Sequence, residues 1–214
     1  MPRFATLLLD LDGTIVDAFT TIHRSYGQVL PQFGLPAPTI EQVRRAVGGG
    51  LEDAMRHFLP EEQIAAAVRL HVEHTEKILL EDVKLMSGAL ELVRSQHAVG
   101  VKLAVFTNKR GTQSRRICEH LGLSPYLDGV FGATDTRWIK PEPEFAAHVL
   151  HELGAARETT MLIGDSPFDV KAAHNGGFAC WCVTTGTHDA AQLRAANAEA
   201  VFSDLFAVRR ALET

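Results

Sequence analysis

The sequence is short of cysteine, of positive charge and of long apolar runs, and each shortage closes off a class of protein. Three cysteines in 214 residues, an odd number, do not make a closed disulfide framework. They read as free thiols of a reducing compartment, so a cytoplasmic protein is expected. Against 26 acidic residues stand 21 basic ones, and the net charge of −5 offers no footprint for nucleic acid and no polybasic patch for anionic lipid. No stretch approaches the ~18 uninterrupted apolar residues of a membrane span. The ten histidines show no metal-ligand spacing. What is present, 46% hydrophobic and 22% charged residues, suffices for one or two compact domains with a real core and excludes disorder and fibres. Chemistry on a small molecule is the class left standing, with a monomer or homodimer as the working unit.

Phe4 to Leu9 is a nearly continuous apolar run that stops at acidic residues, as a strand buried on both faces would. The same pattern recurs at Val101 to Phe106, Thr160 to Ile163 and Phe178 to Val183, with shorter candidates at Gly129 to Gly132 and Ala200 to Phe202. Helical patterns lie between or after them: Gly88 to His97, Thr112 to Leu121, Pro143 to Leu153, Pro167 to Asn175, Ala190 to Ala196 and Leu205 to Leu212. The alternation predicts an α/β fold, a parallel sheet with helices on both faces. Residues 17–83 break the rhythm with helical patterns only: Phe19 to Phe33, Ile40 to Val47, Leu51 to Leu59 and Glu61 to Leu80, punctuated by Pro36, Gly48-Gly49-Gly50 and Pro60. They predict an all-helical domain inserted after the first strand, leaving 1–16 and 84–214 as the core domain.

In open α/β sheets, ligands bind outside the carboxyl ends of the strands. Those ends carry Asp10-Leu11-Asp12-Gly13-Thr14, Thr107-Asn108 and Gly164-Asp165-Ser166 followed by Asp169, while Lys140-Pro141 opens a helix in the same half of the chain. Two carboxylates ~4 Å apart repel by roughly 4 kcal/mol at an effective dielectric near 20, so a dry cluster of Asp10, Asp12, Asp165 and Asp169 needs a cation. A ligand set of oxygens alone points to Mg2+, which usually takes a further ligand from a phosphate. Asp10, directly at a strand end, is placed as a nucleophile, and Asp12 as its acid and base.

These four segments, DLDGTIVD at Asp10 to Asp17, Thr107-Asn108, Lys140-Pro141 and GDSPFD at Gly164 to Asp169, occur in the order seen in the haloacid dehalogenase superfamily. Over nearly its whole length the chain resembles the phosphatase branch of that superfamily. The resemblance implies a Rossmann-like core with a helical cap at 17–83 and a small phosphorylated metabolite as substrate. It implies Asp10 as nucleophile and metal ligand, Asp12 as acid/base and backbone-carbonyl metal ligand, Asp165 as metal ligand and Asp169 as support of the metal shell. Thr107 and Asn108 would bind the transferring phosphoryl group, and Lys140 would offset its charge and orient Asp10. The acidic Asp12 separates the chain from the carbon–halogen dehalogenases, and the absence of lysine from Asp17 to Pro38 separates it from the phosphonate-cleaving relatives. The segment from Val47 to Met55 looks more like the glycine-containing cap loop of phosphoglycolate phosphatases than the arginine-containing motif of the sugar phosphomutases. A phosphomutase and a non-catalytic phosphate sensor are the alternatives.

Gly48-Gly49-Gly50 reads either as a flexible turn or as a loop facing the substrate, with Gly49 as the candidate contact. Arg44 and Arg45 are expected on a solvated surface, Cys180 and Cys182 as buried thiols on one strand face, and His71 and His74, an i, i+3 pair, on the outside of a helix.

Overall fold

The computed structural model describes residues 3–213; Met1, Pro2 and Thr214, at the ends of the expected core segments, lie outside the described residues. In chain order the elements are β1 (Thr6–Leu9), β2 (Val16–Asp17), α1 (Phe19–Val29), α2 (Ile40–Ala46), α3 (Leu51–Arg56), α4 (Glu61–Ile78), β3 (Lys84–Leu85), α5 (Ala89–Ala98), β4 (Lys102–Arg110) and α6 (Gly111–His120). They continue with β5 (Gly129–Ala133), α7 (Pro143–Leu153), β6 (Thr160–Gly164), α8 (Pro167–Gly176), β7 (Ala179–Val183), α9 (Ala190–Ala195), β8 (Ala200–Phe202) and α10 (Leu205–Leu212).

Six strands form one parallel sheet in the order β5-β4-β1-β6-β7-β8. The continuous apolar runs are explained by burial on both faces. Leu7, Leu9, Leu103, Val105, Met161 and Ile163 pack against α5, α6 and α10. Their alternate neighbours Leu8, Ala104, Phe106 and Leu162 pack against α7 and α8, alongside Cys180 and Cys182. Each such leucine contributes about 1.5–3 kcal/mol by burial, and a one-residue slip would exchange the two faces.

The antiparallel pair β2 and β3, with Val16 opposite Leu85, brackets the helices α1–α4. No strand lies among them, as the helical patterns predict. The first is shorter than its pattern: α1 stops at Val29 and a 3-10 turn, Leu30–Phe33, takes over where Pro31 has no N–H to continue the helix. Residues of this insertion, among them Ile22, Tyr26, Val43 and Met55, share one apolar cluster with Leu7 and Leu9 of the sheet. Along α4, Ile64, Ala67, His71, Thr75 and Ile78 form a buried stripe at helical spacing. His71 is therefore inside the protein, not on the surface where its pairing with His74 suggested. Among the described residues no helix is long and apolar enough to cross a membrane.

Candidate active site

Because β4, β1 and β6 are adjacent and parallel, their carboxyl ends deliver side chains to one place. Asp10 follows β1, and its backbone N–H extends the ladder to Ile163 at 2.9 Å. Lys140, only 2% exposed, places Nζ 2.8 Å from Asp10 Oδ1 and 2.6 Å from Asp169 Oδ1. Asp169 is completely buried in the first turn of α8, where its Oδ2 accepts from the Ser166 hydroxyl and from the backbone N–H groups of Asp165 and Ser166. This capping box ties the start of α8 to the Lys140 ammonium. Asp165 accepts from the Thr14 hydroxyl at 3.1 Å on one oxygen, and from the Thr187 N–H and hydroxyl, both at 2.7 Å, on the other.

Asp12 lies in the turn after β1. Its Oδ2 accepts from Lys109 Nζ at 2.9 Å, while Oδ1 is buried without a partner among the described residues. The turn requires glycine at Gly13, where φ is 91° and a Cβ would sit 2.8 Å from Asp165 Oδ2 and 2.9 Å from the Gly186 backbone.

Four buried carboxylates, Asp10, Asp12, Asp165 and Asp169, thus face two ammonium groups, Lys109 and Lys140, which leaves two negative charges uncompensated when all four are ionised. Burial pushes Asp10 up to about 6 against the pull of Lys140, with Asp169 and Asp12 adding to the rise. Burial, and then repulsion from Asp10 and Asp169, pushes Asp165 up to about 8. For Lys140, burial alone would lower the pKa; Asp10 and Asp169 reverse the sign and hold it raised. Oxygen atoms of Asp10, Asp165 and Asp169 all lie within 4.8 Å of one another. An all-oxygen donor set that is short of two positive charges fits a hard divalent cation. Asp169 is committed to the Lys140 ammonium on one oxygen and to three donors on the other, whereas Asp10 has one oxygen without a partner among the described residues and Asp165 Oδ1 accepts only the Thr14 hydroxyl, so Asp10 and Asp165 are the side chains with capacity for it.

Thr107 is buried in the second half of β4, where the pairing with β5 becomes irregular, its Oγ1 accepting from the Lys109 N–H at 3.2 Å. Both donors of the Asn108 amide are spent, on the carbonyls of Gly48 at 3.0 Å and Lys140 at 2.9 Å, and its oxygen accepts from the Lys140 N–H. Of the glycine loop, Gly48 and Gly50 border the cavity described below, whereas Gly49 is turned against Asp53 and Phe168. Arg44 is not simply solvated: its guanidinium lies 4.0 Å over the Phe19 ring and donates to the Gly186 carbonyl at 3.3 Å. Cys180 and Cys182 are buried free thiols, as expected.

Two residues at the centre of this network, Lys109 and Thr187, are not singled out by the sequence patterns. Lys109 directly follows Thr107-Asn108, which is the signal for it. Thr187 lies just beyond β7, and only the rule that strand carboxyl ends carry ligands marks it.

A cavity of about 90 Å3 opens over these strand ends, bordered by Asp10, Asp12, Thr107 and Asp165 below and by Ile22, Tyr26, Val47, Leu51, Ala54 and His71 from the insertion above.

Comparison with known proteins agrees with this arrangement. Residues 7–183 match the haloacid dehalogenase-like hydrolase family. The Dickeya dadantii protein named probable phosphatase IndB is 31% identical over 96% of this chain and 94% of its own length. Phosphoglycolate phosphatase 1 of Pseudomonas aeruginosa is 29% identical over 86% of this chain and 73% of its own. A haloacid dehalogenase-like family hydrolase from Streptococcus pneumoniae superposes with a TM-score of 0.88 at 22% identity, covering 98% of each chain, and so shares the fold. The chain belongs to the haloacid dehalogenase-like hydrolase family. Within it, the chain falls in the subgroup resembling phosphoglycolate phosphatases and is a phosphoric monoester hydrolase.

Proposed function

We propose that this enzyme is a Mg2+-dependent phosphatase that hydrolyses a small phosphorylated metabolite through a phosphoryl group carried on Asp10. The observation that carries the reading is the environment of Asp10: one oxygen is held by Lys140 and the other, without a partner among the described residues, is free to attack. Asp10, Asp165 and the backbone carbonyl of Asp12 would hold the ion. When bound, Mg2+ supplies charge neutralisation at the phosphoryl oxygens.

In the first step an Asp10 oxygen forms a bond to phosphorus as the ester P–O bond breaks, and the leaving oxygen takes a proton from Asp12. Oδ1 of Asp12 is the atom suited to this, since Lys109 occupies Oδ2. In the second step Asp12 takes the proton back from a water that displaces phosphate from Asp10. The Thr107 hydroxyl and nearby backbone N–H groups position the phosphoryl oxygens. For Asn108, whose amide donors are engaged, the contact falls to its backbone. Gly49, turned from the cavity, acts on the substrate only through the placement of Gly48 and Gly50.

The segment 17–83 serves as the cap over this site and 1–16 with 84–214 as the catalytic domain, the cap closing to exclude water during transfer. Phosphoglycolate is the substrate suggested by the names of relatives. The test is phosphate release from phosphoglycolate, sugar phosphates, nucleotides and pyrophosphate, with Mg2+ and with chelator, followed by acid quench and mass spectrometry of the Asp10 peptide. Mg2+-dependent release and a phosphoryl adduct on Asp10 are expected. Replacing Asp10 by Asn should lower turnover by at least about a thousandfold, and a variant keeping most of its activity would overturn the assignment.

A further inference from the structure

The wall that the insertion adds to the cavity carries no charged side chain. Ile22, Val47, Leu51 and Ala54 are apolar, and Tyr26 and His71 are the large polar groups among them. Tyr26 is 1% exposed and His71 6% exposed, yet Tyr26 Oη and His71 Nε2 have no hydrogen-bond partner among the described residues. Native proteins rarely orphan such atoms; at the edge of a cavity the partner is water or a ligand.

The neighbours of His71 assign its tautomer. The Thr75 hydroxyl donates to Ser25 Oγ at 2.8 Å, which spends its one proton. The 3.3 Å contact between Thr75 Oγ1 and His71 Nδ1 is then made by the ring N–H, and Ser25 donates in turn to His74 Nδ1 at 3.2 Å. His71 Nε2 is left as a lone pair. Burial first, and Lys109 and His74 after it, hold the His71 pKa down at about 3, so the ring is neutral. A neutral acceptor takes a hydroxyl or N–H and repels a carboxylate.

We infer that the leaving alcohol carries a second hydroxyl, received by His71 Nε2 and met at its oxygen by the Tyr26 hydroxyl, while its short carbon chain lies on Ile22, Val47, Leu51 and Ala54. The inference rests on the phosphatase reading and selects within it a polyol-like phosphate monoester over one with an acidic tail. The size agrees: 90 Å3 is room for about six to nine water-sized groups at about 10–15 Å3 each, enough for a phosphoryl group and a short alcohol. An acidic tail would turn instead to Arg110, which borders the cavity from the end of β4.

The test compares kcat/KM for glycerol 3-phosphate, propyl phosphate and phosphoglycolate, all with Mg2+. Glycerol 3-phosphate should exceed propyl phosphate by about tenfold or more, because a site that hydrogen-bonds a hydroxyl rejects the analogue lacking it. In His71→Leu that ratio should collapse toward one, and His71→Gln, whose amide oxygen can accept, should restore part of it. Tyr26→Phe should shrink it severalfold. A wild-type enzyme that does not distinguish glycerol 3-phosphate from propyl phosphate overturns the inference without help from any variant. So does a preference for phosphoglycolate that Arg110→Ala abolishes and His71→Leu spares. In either case the phosphatase reading stands, as it does if these three esters are inert while another member of the wider panel is hydrolysed, which also overturns the inference; absence of Mg2+-dependent release from the whole panel, with no adduct on Asp10, sinks both.

Discussion

On the sheet side of the cavity, Asp10, Asp165, Asp169 and Lys140 take one another and their neighbouring hydroxyls as partners, whereas across from them Tyr26 and His71 leave polar atoms with none among the described residues. The first wall is charged, held by ion pairs and hydrogen bonds around Lys140 and Lys109, with Asp12 Oδ1 left without a partner among the described residues. The second is apolar and neutral, and on the inference drawn above a ligand hydroxyl would complete it. On the proposed reading the difference separates two tasks: strand ends would fix the groups that handle phosphorus, and inserted helices would read what the phosphorus is attached to.

The comparison is broken most severely by removing the cation that organises the first wall. Lys140→Met leaves Asp10 and Asp169 buried without their shared partner and should destabilise the fold by about 3–5 kcal/mol, read from urea unfolding, with turnover lost as well. A loss near zero would mean that the two carboxylates are not charged together. A subtler probe is pH. Asp10 and Asp165 sit at about 6 and about 8 in the folded chain, above the 3.8 of an ordinary aspartate, so keeping them ionised costs stability. That cost is absent below about pH 4 and grows as pH rises through 6 and 8. In chelator the Tm should therefore fall from about pH 5 to about pH 8.5, and Mg2+ should raise it more at the higher pH. Equal shifts at both would argue that the ion binds elsewhere.

Smaller effects sharpen the picture of the second wall. Arg44→Ala removes the contact from the insertion to the Gly186 carbonyl and the cation over Phe19, and should raise KM severalfold with little change in kcat if closure of the cap is what it supports. Arg24→Ala, by contrast, breaks only exposed pairs with Glu81 and Asp82 and should leave the urea unfolding midpoint and the activity nearly unaltered.

Much of the first wall was legible in the sequence. Asp10, Thr107 and Asp165 stand where apolar runs end, and parallel pairing of those runs brings the ends together without further information. Lys140 was legible through its order in the chain, although its position between two carboxylates depends on the loop before α7. The second wall was not. His71 looks like a surface residue when paired with His74, yet its register with Ile64, Ala67, Thr75 and Ile78 places it on the buried stripe, and weighing that longer period would have found it. The β2–β3 pair escaped because strands of two residues carry no period to read. The extension of β4 beyond Phe106 to Arg110 escaped because its last residues are polar.

That short pair has a mechanical consequence. The two leads joining α1–α4 to the rest of the chain run side by side, Asp17 opposite Lys84, so the covalent connection of the insertion lies at one point and not at two distant ones. Rotation about that point needs no change in the contour length of either lead. In the proposed closing and reopening of the cap the helices would swing as one lever, making and breaking the contacts of Arg44 with Gly186 and of Gly48 with Asn108, while Asp10 and Asp12, only a few residues upstream, keep their places at the pivot.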